Sequence, residues 1–157
     1  MGYNFSPDEI FEMAKQIEVN GAIFYRKAAK KVTGKKEQQF LKALAEMEDQ
    51  HEQTFAAMQE NLKKEKSENL MFDPEGEAVL YLKAMADTKI FFKKEEPGHK
   101  LNEILTAAIK AEQDSIVFYL GMKELVADAA GKQRIDNIIH EEMGHIQILS
   151  NKLSEIA

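Results

Sequence analysis

The sequence contains two copies of a short motif in which a histidine follows a glutamate by three residues, Glu48-x-x-His51 and Glu142-x-x-His145. Residues three apart lie on the same face of an α-helix, so each pair can direct a carboxylate and an imidazole towards one metal ion. One such motif is weak evidence, because glutamate is common in this chain. Two copies in matching surroundings are a much stronger indication.

A further glutamate precedes each motif by 30 residues, Glu18 before Glu48 and Glu112 before Glu142. Apolar residues at helical spacing predict that these glutamates and both histidines lie on the inner faces of their helices. Four carboxylates buried together would repel one another and lose hydration, which is costly unless compensated. Two divalent cations would balance the four charges. Each Glu-x-x-His pair would aim at one ion, and Glu18 and Glu112 could then bridge the ions or complete their coordination. We therefore predict a paired metal site with six ligands: Glu18, Glu48, His51, Glu112, Glu142 and His145.

Two alternatives remain open for these six residues. In one, buried Glu–His pairs fix the register of a helical bundle that holds no metal. In the other, the helical register differs from the one assumed, and some of the six side chains face solvent.

Several other polar residues lie near the motifs. Tyr25 and Tyr119 follow Glu18 and Glu112 by seven residues, so each lies on the same helix face two turns further on. They either donate hydrogen bonds to ligating carboxylates or pack in the core with the hydroxyl bonded to any nearby acceptor. We expect the remaining five to be exposed to solvent: Glu46, Glu52, His99, His140 and Glu141.

The elements that must position these residues are four long helices, predicted from apolar stripes and from helix start and stop signals. The first begins at Ser6-Pro7 and ends before Gly34, and a break at Gly131 separates the third from the fourth. The predicted spans are about 7–33, 36–64 and 101–127, followed by a fourth helix from the break at Gly131 to about 153.

A long connection over about 65–99, with a possible short helix over Ala78–Ala86, joins the two helical hairpins at about 7–64 and 100–155. The hairpins match at an offset of 94 residues (112 minus 18), which pairs Glu18 with Glu112 and His51 with His145. The predicted fold is all-α, a ferritin-like four-helix bundle with one long crossover between helices 2 and 3, in a single domain over 1–157.

Composition excludes several classes of function. The chain has 157 residues, 44% of them hydrophobic, and a formal net charge of -6, which argues against nucleic-acid binding. It has no cysteine, which excludes a disulfide framework, an iron–sulfur cluster and a thiolate metal site. No segment has the roughly 20 apolar residues of a membrane span, and the N-terminus does not resemble a secretory signal. We expect a soluble cytoplasmic protein.

The paired motifs resemble the rubrerythrin branch of the ferritin-like di-iron superfamily. The resemblance covers both hairpins and is carried by Glu18 with Tyr25, Glu48-x-x-His51, Glu112 with Tyr119, and Glu142-x-x-His145. It implies two iron ions that react with hydrogen peroxide or oxygen, electrons from an external donor, and association as a homodimer. Manganese accepts the same nitrogen and oxygen ligands, so it stays open at either position.

Two features depart from this pattern. Full-length rubrerythrins carry a rubredoxin module whose iron is held by four cysteines, so this cysteine-free chain would need a separate electron-donor protein. Typical rubrerythrins also have an extra glutamate one turn after the helix-three ligand. Ser115 occupies that position here, and Gly21 occupies the matching position in helix one.

Two other functions remain open. The first is ferroxidation with iron storage, or metal buffering. Bacterioferritins share both Glu-x-x-His pairs, but their cages need a further short helix, and only twelve residues follow His145. The second, of another class, is a metal-free helical interaction module.

Overall fold

The computed structural model describes residues 7–65, 76–88 and 96–156, and these residues are almost entirely helical. Helix α1 packs along α2, α4 packs along α5, and α3 lies against α4. The predicted all-α fold, with two long hairpins and a crossover between the second and third long helices, is confirmed. The helices are α1 (Pro7–Lys31), α2 (Lys35–Glu65), α3 (Glu77–Thr88), α4 (Leu101–Leu125) and α5 (Ala129–Ile156).

The first hairpin has the boundaries that its sequence predicts. Helix α1 begins at Pro7, which is tolerated there because the first turn has no intrahelical acceptor for its missing N–H. The predicted cap, Ser6, lies outside the described residues. At the turn, the backbone N–H of Gln38 donates to the Gly34 carbonyl and its side-chain amide donates to the Val32 carbonyl, both at 2.9 Å. These bonds close the connection to α2 within three residues.

In the second hairpin, the predicted helix break at Gly131 is wrong. Helix α4 ends at Leu125, and α5 already begins at Ala129, so Gly131 lies within α5 and is buried. The reason is a cap, since the backbone N–H of Gly131 donates to Asp128 Oδ2 at 2.8 Å. A Cβ on Gly131 would lie 2.6 Å from Val126 Cγ1. The glycine therefore permits a close approach at the start of a helix.

The crossover contains α3, somewhat longer than the predicted Ala78–Ala86, and its residues 66–75 and 89–95 lie outside the described part. Leu82 is fully buried, and the Tyr81 hydroxyl donates to the Val117 carbonyl of α4 at 3.1 Å. A Cβ on Gly121 of α4 would lie 2.5 Å from the Tyr81 ring. The absence of a side chain at Gly121 therefore lets α3 lie directly on α4.

Buried apolar side chains form two clusters, one towards each end of the bundle. In α1, for example, the first cluster ends at Ile17 and the second begins at Phe24, with buried Glu18 between them. The same division occurs on the other three long helices. The six predicted ligands all lie in this dividing layer, which we call the polar layer.

We expect Leu82→Ala to lower the free energy of unfolding by about 2–4 kcal/mol, because it removes a fully buried side chain from a core cluster and leaves a cavity. Leu80→Ala on the same helix is the matched control. Leu80 is 65% exposed, so its replacement should change stability by less than about 0.5 kcal/mol. Urea unfolding measures both. Equal effects would mean that α3 does not unfold cooperatively with the bundle.

Candidate metal centre

Each long helix contributes one buried glutamate to the polar layer, and α2 and α5 each add a histidine one turn later. All six side chains are at most 3% exposed. The alternative register, in which some of them would face solvent, does not occur. The six residues are Glu18 of α1, Glu48 and His51 of α2, Glu112 of α4, and Glu142 and His145 of α5.

The potential ligand atoms form two groups of four residues, and within each group the atoms lie within 4.8 Å of one another. One group contains Glu18 and His51, the other contains Glu112 and His145, and both contain Glu48 and Glu142. The sequence predicts that Glu18 and Glu112, rather than the glutamates of the two motifs, bridge the ions or complete their coordination. The structure instead puts Glu48 and Glu142 in both groups, and we call them the shared glutamates; Glu18 and Glu112 each belong to one group, and we call them the outer glutamates.

The two histidines face carboxylates from both hairpins. His51 Nδ1 is 3.5 Å from Glu18 Oε2 and 2.7 Å from Glu142 Oε1. His145 Nδ1 is 3.6 Å from Glu112 Oε1 and 3.4 Å from Glu48 Oε1. Each imidazole therefore faces the outer glutamate of its own hairpin and the shared glutamate of the other. Neither hairpin holds a complete group.

Within the described residues, seven buried side-chain polar atoms make no hydrogen bond of acceptable geometry, and all seven belong to these six residues. They include both histidine Nδ1 atoms and one or both oxygens of every glutamate. Two of the seven, His51 Nδ1 and Glu142 Oε1, lie 2.7 Å apart as a close ion-pair contact. Buried polar atoms in folded proteins are rarely left unpaired. Their convergence in one layer fits a centre that holds two cations, with carboxylate and imidazole as ligands suited to iron or manganese.

Burial and mutual repulsion disturb the ionisation of the carboxyls. Burial raises the pKa of Glu18, and the nearby charge of Glu142 raises it further. Burial also raises the pKa of Glu48 well above its usual range, helped by the charges of Glu18 and Glu142. A bound cation would act in the opposite direction, because it favours the ionised form of both carboxyls.

The imidazoles have the opposite effect on Glu142. Burial opposes its ionisation, but His145 and His51 outweigh burial and hold the pKa of Glu142 below its usual value. Burial alone would lower the pKa of His51, yet the adjacent carboxylates of Glu142 and Glu18 raise it to about 11. The 2.7 Å contact between His51 and Glu142 therefore favours the charged form of both side chains.

The two tyrosines hold the outer glutamates across the hairpins. The Tyr25 hydroxyl donates to Glu112 Oε1 at 2.7 Å, and the Tyr119 hydroxyl donates to Glu18 Oε1 at 2.5 Å. Each tyrosine therefore reaches the glutamate of the other hairpin rather than the one on its own helix. Burial raises the pKa of both phenols well above the ordinary value, so both remain hydrogen-bond donors.

A family model for rubrerythrin matches residues 9–153, nearly the whole chain. The chain belongs to the rubrerythrin family. The fold is also similar to a crystal structure from Thermotoga maritima described as a candidate ferritin-like diiron-carboxylate protein. That similarity covers 100% of both chains with a TM-score of 0.72 at 20% sequence identity, and it confirms the ferritin-like fold. No curated protein sequence matches the chain.

This rubrerythrin-family chain lacks the extra glutamate of typical members. Ser115, in its place, is buried, and its hydroxyl donates to the Ala111 carbonyl of its own helix at 2.9 Å. The hydroxyl thus points back to the backbone. Gly21, at the matching position of α1, is also buried and has no side chain.

The outer nitrogens of the two histidines contact residues that the motif analysis did not select. His51 Nε2 lies 2.5 Å from Glu141 Oε2, whereas His145 Nε2 lies 3.2 Å from Met47 Sδ. Glu141 is 53% exposed, as predicted, but it also touches the centre through His51. The offset of 94 residues relates position 47 to position 141, but it does not indicate that either residue touches a histidine.

The other polar residues play no part in this rubrerythrin-family centre. Glu46, His99 and His140 are exposed as predicted, and Glu52 is half-buried instead of exposed. Among the described residues, no helix combines the length and apolar character needed to cross a bilayer.

In the metal-free protein, we expect Tyr119→Phe to lower the free energy of unfolding by about 1–3 kcal/mol. The substitution leaves the buried Glu18 Oε1 without its donor, and hydrogen bonds to charged groups are worth about this much. Tyr81→Phe is the matched control, since that hydroxyl is on an exposed side chain and its loss should cost less than about 0.5 kcal/mol. Chemical denaturation in the presence of a chelator measures both. A smaller loss for Tyr119→Phe than for Tyr81→Phe would contradict the assigned hydrogen bond.

Proposed function

We propose that the polar layer binds two iron ions and that the protein is an oxidoreductase of the rubrerythrin type. Its substrates would be hydrogen peroxide or oxygen, and its electrons would come from a separate donor protein. The observation that carries the proposal is the convergence of seven unpaired buried polar atoms from six residues in one layer. Membership of the rubrerythrin family and the diiron-carboxylate description of the Thermotoga maritima protein support iron over manganese.

The residues of the chain have distinct tasks in this proposal. Glu48 and Glu142, which belong to both groups, would hold the two ions close together. Tyr25 and Tyr119 keep the outer glutamates in place through their hydrogen bonds. When bound, two Fe(II) ions supply the two electrons that, with two protons, convert one hydrogen peroxide into two waters.

Small residues near the outer glutamates would leave room for the oxidant. Gly21 lies one turn from Glu18, and Ser115 lies one turn from Glu112 with its hydroxyl bonded to the backbone. A peroxide or an oxygen molecule is small enough to use the space that a glutamate would fill at either position. In this proposal, the oxidant would bind without the extra carboxylate of other rubrerythrins.

An anaerobic Fe(II) titration of metal-free protein tests the centre itself. We expect a break at two ions per chain that disappears in the His51→Ala/His145→Ala variant. His99→Ala/His140→Ala, which removes two exposed histidines, is the matched control and should keep the break. Absence of saturable binding would refute the metal centre and favour the metal-free interaction module.

Peroxide consumption by the iron-loaded protein, with a chemical reductant in place of the natural donor, tests the activity. We expect Glu48→Ala to abolish turnover and Glu46→Ala, which changes an exposed residue two positions away, to retain it. If the natural protein turned over no faster than Glu48→Ala while binding two ions, the protein would be a metal buffer or store.

The proposal includes a homodimer. Ile23 of α1 and Val117 of α4, which correspond at the offset of 94 residues, are both large hydrophobic side chains exposed to solvent, at 42% and 38%. Light scattering coupled to size exclusion measures the assembly, and the expected mass is that of two chains. A mass near that of a 24-chain cage would favour iron storage instead.

A further inference from the structure

The two halves of the polar layer present the same six residue types but differ in what supports each histidine. Positions related by the offset of 94 residues carry the same residue type at all six metal-facing positions. The residues behind the histidines differ, since Glu141 contacts His51 Nε2 and Met47 contacts His145 Nε2.

The outer contact matters because a neutral imidazole has only one N–H. If Nδ1 faces a cation as a ligand, Nε2 must carry the proton and donate it to an outer acceptor. In both histidines Nδ1 faces the carboxylates and is otherwise unpaired, and Nε2 faces outwards. The outer acceptor therefore stabilises the tautomer that a ligating histidine needs.

A carboxylate and a thioether differ greatly as acceptors. The Glu141 carboxylate is charged and lies at hydrogen-bond distance, so it fixes the ring and increases electron donation from Nδ1. The Met47 thioether is a weak, uncharged acceptor. Loss of an outer partner of a ligating histidine typically changes metal affinity about 10–100-fold.

We infer that Glu141 and Met47 make the two metal positions unequal, so that the position beside His51 fills before the position beside His145. In this inference, which rests on the proposed metal centre, Glu141 is a positioning residue that acts through His51. The first ion would be held by Glu18, Glu48, His51 and Glu142. The second would enter between the shared glutamates, Glu112 and the less supported imidazole.

Stepwise titration of metal-free protein with Co(II) alone, followed by calorimetry and visible absorption, tests the inference without any measurement of turnover. We expect two steps separated by about 10–100-fold in affinity. His51→Ala should remove the tighter step and leave the weaker one, which assigns the steps to positions. Loss of the weaker step in His51→Ala would reverse the assignment and overturn the inference.

Substitutions of Glu141 and Met47 then test whether these two side chains cause the difference in affinity between the two steps. Glu141→Gln keeps the size and an acceptor oxygen but removes the charge, so the tighter step should weaken about tenfold or more while the other stays within twofold. Met47→Glu should tighten the weaker step towards the first. Met47→Leu, the matched control, should leave both steps unchanged.

Both substituted side chains reach the protein surface, since Glu141 is 53% exposed and Met47 is half-buried, so these variants should fold. Two steps of equal affinity in the natural protein, or equal weakening of both steps by Glu141→Gln, would overturn this inference and leave the paired site standing. No saturable Co(II) binding at all would overturn both.

Discussion

Addition of Mn(II) to the metal-free protein is expected to raise its melting temperature by about 10 °C or more. A ligand that binds only the folded state stabilises it by about 4 kcal/mol when present at a thousandfold excess over its dissociation constant. In a chain of this length, each kcal/mol of added stability raises the melting temperature by about 2–4 °C. The effect should be large here because cations would remove the repulsion among four buried carboxylates and pair seven unpaired atoms. Differential scanning calorimetry with and without a chelator measures it.

Substitution of the two buried histidines of the polar layer supplies the control for this shift. The His51→Ala/His145→Ala variant should melt at the same temperature with and without Mn(II), whereas His99→Ala/His140→Ala should retain the full shift. An equal shift in both variants would mean that the ion stabilises the protein from its acidic surface, and the polar layer would lose its role as the binding site.

Glu48→Gln is expected to affect stability in opposite directions depending on metal. Burial raises the pKa of Glu48 well above its usual range, so ionisation of this group opposes folding at neutral pH and an uncharged amide should stabilise the metal-free protein. With metal, the same change removes a ligand common to both groups. Both binding steps should weaken by more than the tenfold to hundredfold that an outer partner costs. Paired melting curves and a Co(II) titration measure the two effects.

Glu18→Gln tests whether Glu48 contributes to both metal positions while Glu18 contributes to only one. Glu18 belongs only to the group that contains His51, so its replacement should weaken one binding step and leave the other within about twofold. If Glu18→Gln weakened both steps as much as Glu48→Gln does, the division into shared and outer glutamates would be wrong.

The centre could be predicted from the sequence because its residues interrupt apolar stripes. A glutamate such as Glu18 between buried apolar neighbours is costly without compensation, so its position on an inner face already indicates a partner. The start of α5 could not be predicted in the same way. Gly131 is a typical helix breaker, but the side chain of Asp128 caps the helix ahead of it.

Contacts between helices were beyond prediction from periodicity. Helical spacing places Tyr25 on the face of Glu18, but only the packing of the two hairpins brings its hydroxyl to Glu112. Likewise, Glu141 is on an exposed face of α5, and its contact with His51 depends on how closely α2 and α5 approach. Such pairs depend on the distance and rotation between helices, and the apolar pattern of one helix does not determine either.

Each group of the polar layer takes residues from both hairpins. This arrangement distinguishes the single chain from an assembly of two identical hairpins. Because each group draws on both hairpins, two copies of the first hairpin could in principle assemble the same six ligands. Such a symmetric assembly would carry methionine behind both histidines, and two copies of the second hairpin would carry glutamate behind both. Only the covalent crossover, by joining two different hairpins, allows one chain to place Glu141 behind one histidine and Met47 behind the other.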